Sequence, residues 1–461
     1  MIAGRLIVGI AGPGLHEREA AWLRRYRPAG VILFHRNCPD PGALAALVAD
    51  LRAALPPGGE ICVDHEGGAV SFLQEAAGRP PAARTLGDLD DPDLTRRVHA
   101  ETARRLAGLG LDRVLAPCCD VLTETHNPVI GARAFAAGAD RVASHAVAAV
   151  RGLGEGGLRG CAKHWPGHGG SRHDTHEREA AAGAPAAGDD APFLAAVRAG
   201  LDAVMVGHLP VAADRPPASL DAGAVADLRR ALPHGVLVYS DDISMGALRE
   251  PLARQGVASP DGRETGIVDP AELGRDWLEA VAAAGCDRLL LRGIPWRALP
   301  LEGGDEPRLP ADPPAPRLDG AGPEAAVYAE ARQRAAEGAP WRPGGPVLWL
   351  DLTAGDRLGD AGACAPALAG LVPEVRRLTP TAGRLPDLTE AAAVLVTSHR
   401  PLTMEAAGLL TSLAAPVGVA LTAGHPSLAG DLRRLLPGAW TVTDGPRDCS
   451  LADLAPFLAV R

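Results

Sequence analysis

The stretch GVLVYSDDISM, residues 235–245, carries the pattern that decides the fold. Its first part is apolar without alternation, which is typical of a strand buried on both faces of a parallel sheet. Two aspartates follow at once, so polar residues stand where such a strand ends. Similar runs recur along the first 295 residues, with Ala-, Leu- and Arg-rich helical stretches between most of them.

Eight runs share this pattern, and helical periodicity separates them, as in residues 41–55 and 192–200. The runs are RLIVGIAG (5–12), GVILFHRN (30–37), EICVDHEGG (60–68), LDRVLAPCCDV (111–121), GCAKHWPGHG (160–169), DAVMVGHLPV (202–211), GVLVYSDDISM (235–245) and DRLLLRG (287–293). Eight strands with helical crossovers predict an α/β fold of the (β/α)8 TIM-barrel type. A doubly wound sheet of similar size is the alternative that the number of strands leaves open.

A second domain is indicated because the pattern restarts after residues 294–345. That segment is rich in Pro, Gly and acidic residues, and we interpret it as a linker with a short helix near 323–337. The β-rich runs that follow are PVLWLDL (346–352), EVRRLTP (374–380), AAVLVTSHR (392–400), PVGVALTAG (416–424) and AWTVTDG (439–445). The sequence therefore predicts a barrel domain over 1–293 and a smaller C-terminal α/β sandwich domain over 346–461.

Composition and charge exclude several classes of protein. A net charge of −10 and a pI near 5.8 argue against a general binder of nucleic acid or acidic membranes. The sequence shows no basic leader and no apolar stretch that would span a bilayer. Its eight cysteines form neither a Cys-x-x-Cys pair nor a zinc-ligand spacing. We therefore expect a soluble cytoplasmic protein without nucleic-acid or membrane partners.

The basic residues contain one informative exception. Of 46 Lys and Arg residues a single one is lysine, Lys163. A general preference for Arg explains the bias, but an ammonium retained against that bias suggests a place where Arg cannot replace it. Lys163 and His164 directly follow the apolar part of the fifth run. Asp64, His208 and Asp241 follow the apolar parts of the third, sixth and seventh runs in the same way. Loop-facing strand ends are often polar for solubility alone, but barrel enzymes also keep their chemistry there, and four strands agree.

The segment AKHWPGHGGSRHDTH, residues 162–176, is dense enough in histidine to suggest a zinc site. The spacing from His164 to His168 crosses a Pro-Gly pair, so no helix can present both on one face as zinc-binding helices do. We interpret the segment as a Gly-rich loop with a movable histidine and predict no metal. Asp174 and His176 are two residues apart, which allows a hydrogen bond that would fix the imidazole tautomer.

Six motifs follow one another between residues 29 and 250: AGVILFHRN, CVDHEGGAV, HNPVIGARAF, AKHWPGHGGSRHDTH, DAVMVGHLPV and VYSDDISMGAL. These motifs and their order resemble those of glycoside hydrolase family 3, and within that family those of the β-N-acetylglucosaminidases. The motifs around Lys163 and Asp241 are long and specific. The C-terminal stretch PVGVALTAGHPSLAGDL is similar to the family's second domain, much more loosely.

The resemblance implies a retaining, two-step hydrolysis that needs no cofactor. Three residues match the catalytic groups: the nucleophile Asp241, the general acid/base His176 and its partner Asp174. The residues that match the sugar-binding pocket are Asp64, Arg133, Lys163 and His164, with His208 in a motif that lines it. The implied substrate is a small carbohydrate, a GlcNAc-containing muropeptide or disaccharide derived from peptidoglycan.

Two departures from the family pattern bear on this expectation. Ala69 and Phe72 stand where the family has arginines, one of which usually contributes to hydroxyl recognition or orders the pocket. Residues 249–280 are longer than the family's usual connection, and we expect a short inserted loop at the mouth of the site. Three alternatives stay open: a family 3 β-glycosidase for another sugar, a phosphorylase, because a histidine acid/base repels phosphate less than a glutamate would, and a sugar-binding pseudoenzyme, because the arginine pair is missing.

Overall fold

Eight parallel strands curl into one closed sheet. The computed structural model describes residues 2–124, 127, 129–172, 174–176, 188–212, 214–303, 306–307 and 325–337, with five strands between 347 and 442. The strands of the first part are β1 (Leu6–Val8), β2 (Gly30–Leu33), β3 (Glu60–Val63), the hairpin of β4 (His65–Gly67) and β5 (Val70–Ser71), β6 (Arg113–Val114), β7 (Ala162–Trp165), β8 (Ala203–Val206), β9 (Leu237–Asp242) and β10 (Arg288–Leu291). All but the hairpin belong to the closed sheet.

The order of the strands in this sheet is β6-β3-β2-β1-β10-β9-β8-β7, and the pairs are parallel. Parallel bridges join the two end strands, from Arg113 to Arg159 and from Cys118 to Lys163. The sheet therefore closes on itself, whereas a doubly wound sheet would keep two open edges. The predicted (β/α)8 barrel is confirmed, and all its C-terminal strand ends meet at one mouth.

Helices lie between the strands, as the sequence predicts for most of the connections. They are α1 (Glu17–Tyr26), α2 (Pro41–Ala54), α3 (Gln74–Ala77), α4 (Ala83–Leu89), α5 (Pro92–Gly108), α6 (Ala139–Glu155), α7 (Ala191–Arg198), α8 (Ala222–Ala231), α9 (Arg249–Arg254), α10 (Arg275–Ala283) and α11 (Ala326–Glu337). Asp40, Asp91 and Asp221 cap α2, α5 and α8 by accepting a backbone N–H of the first turn. The helical stretches expected at 41–55 and 192–200 are α2 and α7.

The strands are buried on both faces, which explains why the runs show no polar alternation. Side chains such as Leu6, Val31 and Val204 pack outward in the cluster shared with the helices. The apolar residues that fill the barrel interior are Ile7, Ile32, Cys62, Leu115, Cys161, Ala203, Met205, Tyr239 and Leu290. The six cysteines among the described residues are free and buried, so they act as small core side chains.

An ion network closes the barrel at the N-terminal end of the strands. The guanidinium of Arg113 donates to both oxygens of Asp202, at 2.6 and 3.0 Å, and lies 3.3 Å from a carboxylate oxygen of Glu60. The hydroxyl of Tyr239 also donates to Glu60. Each buried charge has a partner, as burial in a low-dielectric interior requires. This end of the barrel is filled, so the opposite mouth is left for binding.

The C-terminal part contains a second parallel sheet. Its strands are β11 (Val347–Asp351), β12 (Val375–Leu378), β13 (Ala393–Thr397), β14 (Val417–Ala420) and β15 (Thr441–Val442). Their order is β12-β11-β13-β14-β15, and each coincides with one of the β-rich runs of the sequence. The helices expected for an α/β sandwich lie outside the described residues. The domain boundaries at 293 and 346 stay predictions.

The helix predicted near 323–337 is α11, and it packs against the barrel domain. Tyr328 is buried in one cluster with Leu86, Val98 and Phe135, and its hydroxyl lies 2.8 Å from that of Thr102. The predicted linker therefore contains a segment that is part of the barrel's outer layer. Within the described residues, no helix has the length and apolarity needed to traverse a membrane.

Gly30 offers a test of how tightly the barrel strands pack. A Cβ at this position of β2 would overlap the backbone carbonyl of Glu60 on β3, whereas a Cβ at Gly4 meets no atom within 4 Å. We expect Gly30→Ala to destabilise the barrel by about 1–3 kcal/mol, because the strands must separate to admit the methyl group. Thermal and urea unfolding of both variants check this. Equal stabilities of Gly30→Ala and the control Gly4→Ala would contradict the packing argument.

Candidate active site

The structure brings the predicted residues of four strands to one mouth of the barrel. Asp64 directly follows β3, Lys163 and His164 lie in β7, His208 follows β8 by two residues, and Asp241 lies in β9. The parallel direction of these strands carries all their C-terminal ends to the same side. Three of the side chains are at least nine-tenths buried: Lys163, His164 and His208.

One side of the mouth is a cluster of two cations and two carboxylates, of which Lys163 and Glu66 are buried and Arg133 and Asp64 partly buried. The Lys163 ammonium contacts Asp64 and lies 2.5 Å from Glu66 Oε1. Arg133 donates to both oxygens of Glu66, at 2.9 and 2.8 Å. Burial alone would raise the pKa of Glu66, but Arg133 and Lys163 lower it to about 2. Burial likewise opposes the Lys163 charge, yet Asp64 and Glu66 raise the pKa of Lys163 above its ordinary value, so Lys163 and Glu66 both stay ionised.

Asp120 organises the part of the site around the two histidines of β7 and the following turn. His164 Nδ1 lies 2.7 Å from Asp120, and because a carboxylate only accepts, Nδ1 carries the proton. His164 Nε2 lies 3.2 Å from a nitrogen of the Arg133 guanidinium. Asp120 also accepts the backbone N–H of His168 at 2.6 Å. Burial lowers the pKa of the His168 imidazole to about 4, so this ring is neutral near pH 7.

Asp241 and His208 stand side by side at the ends of β9 and β8. Asp241 Oδ1 accepts the backbone N–H of Asp242 at 2.8 Å. Burial would raise the pKa of Asp241, but His164, His208, this hydrogen bond and His176 keep it well below the ordinary range. His208 Nε2 donates to the carbonyl oxygen of Asp242 at 2.8 Å, and burial lowers the pKa of this ring. The site therefore presents an ionised carboxylate beside a neutral imidazole.

The two adjacent aspartates have different surroundings, as expected for neighbours on a strand. Asp242 Oδ1 accepts the backbone N–H and the hydroxyl of Ser244, at 3.0 and 2.6 Å. It thereby shapes the turn after β9. The pKa of Asp241, in contrast, is lowered by His164, His208 and His176.

The hydrogen bond predicted between Asp174 and His176 is present. His176 Nδ1 lies 2.7 Å from Asp174 Oδ1, which also accepts the His176 backbone N–H at 2.9 Å. Burial opposes the imidazolium, but Asp174 and the charge of Asp241 raise the pKa of His176 above its ordinary value. The His176 side chain remains 47% exposed, so its second nitrogen can reach a bound molecule.

Two backbone hydrogen bonds tie this loop to the segment after β9. Gly246 N–H donates to the His176 carbonyl at 2.9 Å, and Ala247 N–H donates to the Thr175 carbonyl at 3.0 Å. Both donors lie a few residues beyond Asp241. The loop that carries the imidazole is therefore anchored to the same segment that follows the carboxylate, which brings the two groups into electrostatic range of each other.

Sequence reasoning missed two residues of the site, Glu66 and Asp120. Glu66 lies two positions after Asp64 in the quoted motif, inside β4, where it is buried rather than loop-facing. Asp120 follows the apolar part of the fourth run, LDRVLAPCCDV, as Asp64 follows that of the third. The position of Asp120 after an apolar run was the signal in the sequence that could have identified it as a residue of the site. The partners of both residues come from distant parts of the chain and could not be read locally.

Cys118, Asp120 and His164 form the group of described residues whose ligand atoms lie close enough, within 4.8 Å, to hold a metal ion. The Asp120 carboxylate already accepts from His164 and from the thiol of Cys118, the latter at 3.1 Å. Arg133, a cation, lies 3.2 Å from His164. Hydrogen bonds within the protein therefore engage this group, and the absence of a metal site stays a prediction.

The long connection after β9 is built around one buried arginine. Arg249 donates to both oxygens of Asp261, at 2.6 and 2.9 Å, and to the carbonyl of Gly266. Val268 N–H donates to the Ser244 carbonyl at 2.8 Å. The connection thus folds back onto the turn that follows Asp241, and its interpretation as a loop inserted relative to the family stays a prediction.

Comparisons with known proteins agree with this architecture. Residues 7–266 match the model of the glycosyl hydrolase family 3 N-terminal domain. A β-hexosaminidase of Xanthomonas campestris pv. campestris (strain B100) is 34% identical over 307 residues, which cover 63% of this chain and 91% of that protein. NagZ of Neisseria gonorrhoeae in complex with N-trifluoroacetyl-D-glucosamine is 30% identical, with a TM-score of 0.53, over 63% of this chain and 81% of that one.

A further solved structure shares the fold over a longer range. It is a glycoside hydrolase family 3 β-N-acetylglucosaminidase from Paenibacillus sp. str. FPU-7, with a TM-score of 0.75 and 20% identity over 100% of this chain and 96% of that one. The family match alone spans more than half of the 461 residues. The chain is thus a glycoside hydrolase and belongs to glycosyl hydrolase family 3.

Proposed function

We propose that the protein is a retaining, exo-acting β-N-acetylglucosaminidase that releases terminal GlcNAc from peptidoglycan fragments in the cytoplasm. One observation carries the proposal. An ionised carboxylate, Asp241, and an imidazole held by a carboxylate, His176, share the barrel mouth and affect each other's protonation. The β-hexosaminidase relatives support the substrate class.

The first step needs a nucleophile and an acid. Asp241 attacks the anomeric carbon while the bond from that carbon to the leaving oxygen breaks, and a covalent glycosyl-aspartate forms. Nδ1–H of His176 is held by Asp174 at 2.7 Å, so Nε2 is the nitrogen that donates its proton to the leaving oxygen. The charge of Asp241 also stabilises the positive charge that develops on the sugar ring.

The second step reverses the proton transfer. His176, now neutral, removes a proton from water, and the water oxygen attacks the anomeric carbon as the bond to Asp241 breaks. The product keeps its anomeric configuration because two displacements have occurred. A neutral imidazole does not repel an anion as a carboxylate would, so phosphate in place of water is the second candidate acceptor.

The buried ions around Lys163 supply the sugar contacts in this proposal. The ammonium can donate to sugar hydroxyls, and the Asp64 carboxylate can accept from them. Glu66 holds Lys163 and Arg133 in place with contacts of 2.5 to 2.9 Å. His164 lies beside Arg133 and contributes to the same pocket. Because these charged side chains are already held in place, they can orient the sugar before reaction with little further loss of conformational entropy.

Substitution of the proposed nucleophile tests the reaction itself. We expect Asp241→Ala to lose hydrolysis of an aryl β-N-acetylglucosaminide and of a GlcNAc-containing muropeptide, because no glycosyl-enzyme can form. Asp227, half-exposed and paired with Arg230 on α8, provides the control Asp227→Ala, which should retain full activity. Near-normal turnover by Asp241→Ala would refute the assignment. Product analysis in phosphate buffer distinguishes GlcNAc from its 1-phosphate.

The pH profile tests the pair of His176 and Asp174. In the free enzyme kcat/KM requires a protonated His176, so its raised pKa extends activity to higher pH. Asp174→Asn removes the negative charge that favours the imidazolium, and we expect the basic limb of the profile to move to lower pH. His176→Ala should lower kcat by about 10²–10⁴-fold with a poor leaving group. A basic limb that is identical in Asp174→Asn and wild type would contradict the pairing.

Glu66→Gln tests the support of the sugar pocket. Removing this charge leaves Lys163 and Arg133 buried together with less compensation, and we expect a loss of about 3–5 kcal/mol in stability. KM should rise as the two cations move apart. Glu155, 47% exposed and 2.5 Å from Arg96, provides the control Glu155→Gln, with a loss of at most about 1 kcal/mol. Equal effects of the two substitutions on unfolding and KM would exclude a special role for Glu66.

A further inference from the structure

A threonine beside the proposed acid/base faces into the protein. Thr175 is buried, whereas its neighbours Asp174 and His176 keep 36% and 47% of their side chains exposed. The hydroxyl oxygen of Thr175 lies 2.9 Å from Nε2 of His168, which is buried as well. This buried pair joins the segment 174–176 to the Gly-rich turn that follows β7.

The turn that carries His168 is fixed to the barrel at both its N–H and its carbonyl. Asp120 accepts the backbone N–H of His168 at 2.6 Å, and the side-chain amide of Asn127 donates to the His168 carbonyl oxygen at 2.7 Å. The next residue, Gly169, passes so close to the carbonyl of Val121 that a Cβ would overlap it. A group bonded to the His168 ring is therefore tied to a fixed part of the barrel.

Asp120 connects this turn with the proposed sugar pocket. The same carboxylate that accepts the His168 backbone N–H also accepts Nδ1–H of His164, at 2.7 Å. The rings of the two histidines lie 5.8 Å apart with an interplanar angle of 69°. One carboxylate therefore positions both the histidine proposed to contact the sugar and the histidine that contacts Thr175.

The His168 ring suits a supporting role because it stays neutral. Burial lowers its pKa to about 4, so near pH 7 one ring nitrogen donates and the other accepts. Burial also opposes a charge on His176, but the hydrogen bond to Asp174 raises the pKa of that ring above its ordinary value. The two histidines therefore do not compete for a proton near neutral pH.

We propose that His168 is a positioning residue, which holds Thr175 and thereby keeps the His176 imidazole where it can donate a proton to the leaving oxygen. This inference rests on the proposed function and adds a residue to its acid/base group. The contact acts one position before His176, and the backbone N–H groups of Gly246 and Ala247 hold the same segment from the turn after β9. Loss of the Thr175 hydroxyl leaves the segment with fewer bonds to the barrel.

Thr175→Val tests the contact, because it removes the hydroxyl and keeps the branched shape of the side chain. Full-length variants are compared on aryl β-N-acetylglucosaminides whose leaving phenols differ in acidity. A poor leaving group needs the proton most, so kcat/KM should fall about tenfold or more for the least acidic phenol and less than about threefold for a dinitrophenol. His168→Leu should give the same pattern, and the double variant should lose no more than either single variant.

Two controls separate positioning from a general loss of stability. Thr95 forms a matched buried pair in the outer helical layer, where its hydroxyl oxygen lies 2.8 Å from Nδ1 of His145. Thr95→Val removes the same kind of bond and should keep the wild-type dependence on the leaving group. Thr175→Ser retains the hydroxyl and should do likewise. If Thr95→Val steepens this dependence as much as Thr175→Val does, the proposal is overturned.

Hydrogen exchange follows the same contact without turnover. The amides of Gly246 and Ala247 donate to the carbonyls of His176 and Thr175, so they exchange faster when the segment detaches. We expect about tenfold faster exchange in Thr175→Val and unchanged exchange in Thr95→Val. Unchanged exchange in Thr175→Val, or an unchanged leaving-group dependence in an active enzyme, overturns the positioning role. Faster exchange in a protein whose wild type hydrolyses none of the substrates contradicts the proposed reaction and leaves the tie between His168 and Thr175 standing.

Discussion

A single buried carboxylate, that of Glu66, holds two cations beside each other, and the polar half of the site depends on it. Lys163 comes from β7 and Arg133 from the loop beyond β6, so without Glu66 their charges would repel across a low-dielectric interior. The Asp64 carboxylate contacts Lys163 and supplies the second negative charge that compensates the two cations. The closure of the barrel between β6 and β7 makes this arrangement possible, because it places these segments beside the hairpin that carries Glu66.

The other half of the site is built differently. Its imidazole, that of His176, is nearly half exposed and is held by one carboxylate and by backbone hydrogen bonds to the turn after β9. The contrast suits the two tasks in the proposed mechanism. A sugar pocket gains from fixed charges, whereas an acid that must meet both a leaving group and a water needs an open side.

The fold follows from the sequence to a large extent, because unbroken apolar runs are a strong signal for strands buried on both faces. The fourth run is the exception in detail: of its eleven residues Arg113–Val114 form the regular strand β6, and Cys118 adds an isolated bridge beyond Pro117, which offers no N–H to a ladder. Short-range features such as the bond from Asp174 to His176 could be foreseen from spacing. The bonds of Glu66 to Arg133 and Lys163 and of Asp120 to His164 could not, because these partners lie from 44 to nearly 100 residues away and meet only in the closed barrel.

The scarcity of lysine has a consequence for the chemistry of the surface. The chain's single ε-amine, on Lys163, is 2% exposed and engaged by two carboxylates. All other side-chain cations of the Lys and Arg type are guanidinium groups, which stay charged and react poorly as nucleophiles. The folded surface is therefore inert toward lysine acylation or lysine-directed crosslinking, and any such modification of Lys163 would report that the barrel mouth has opened.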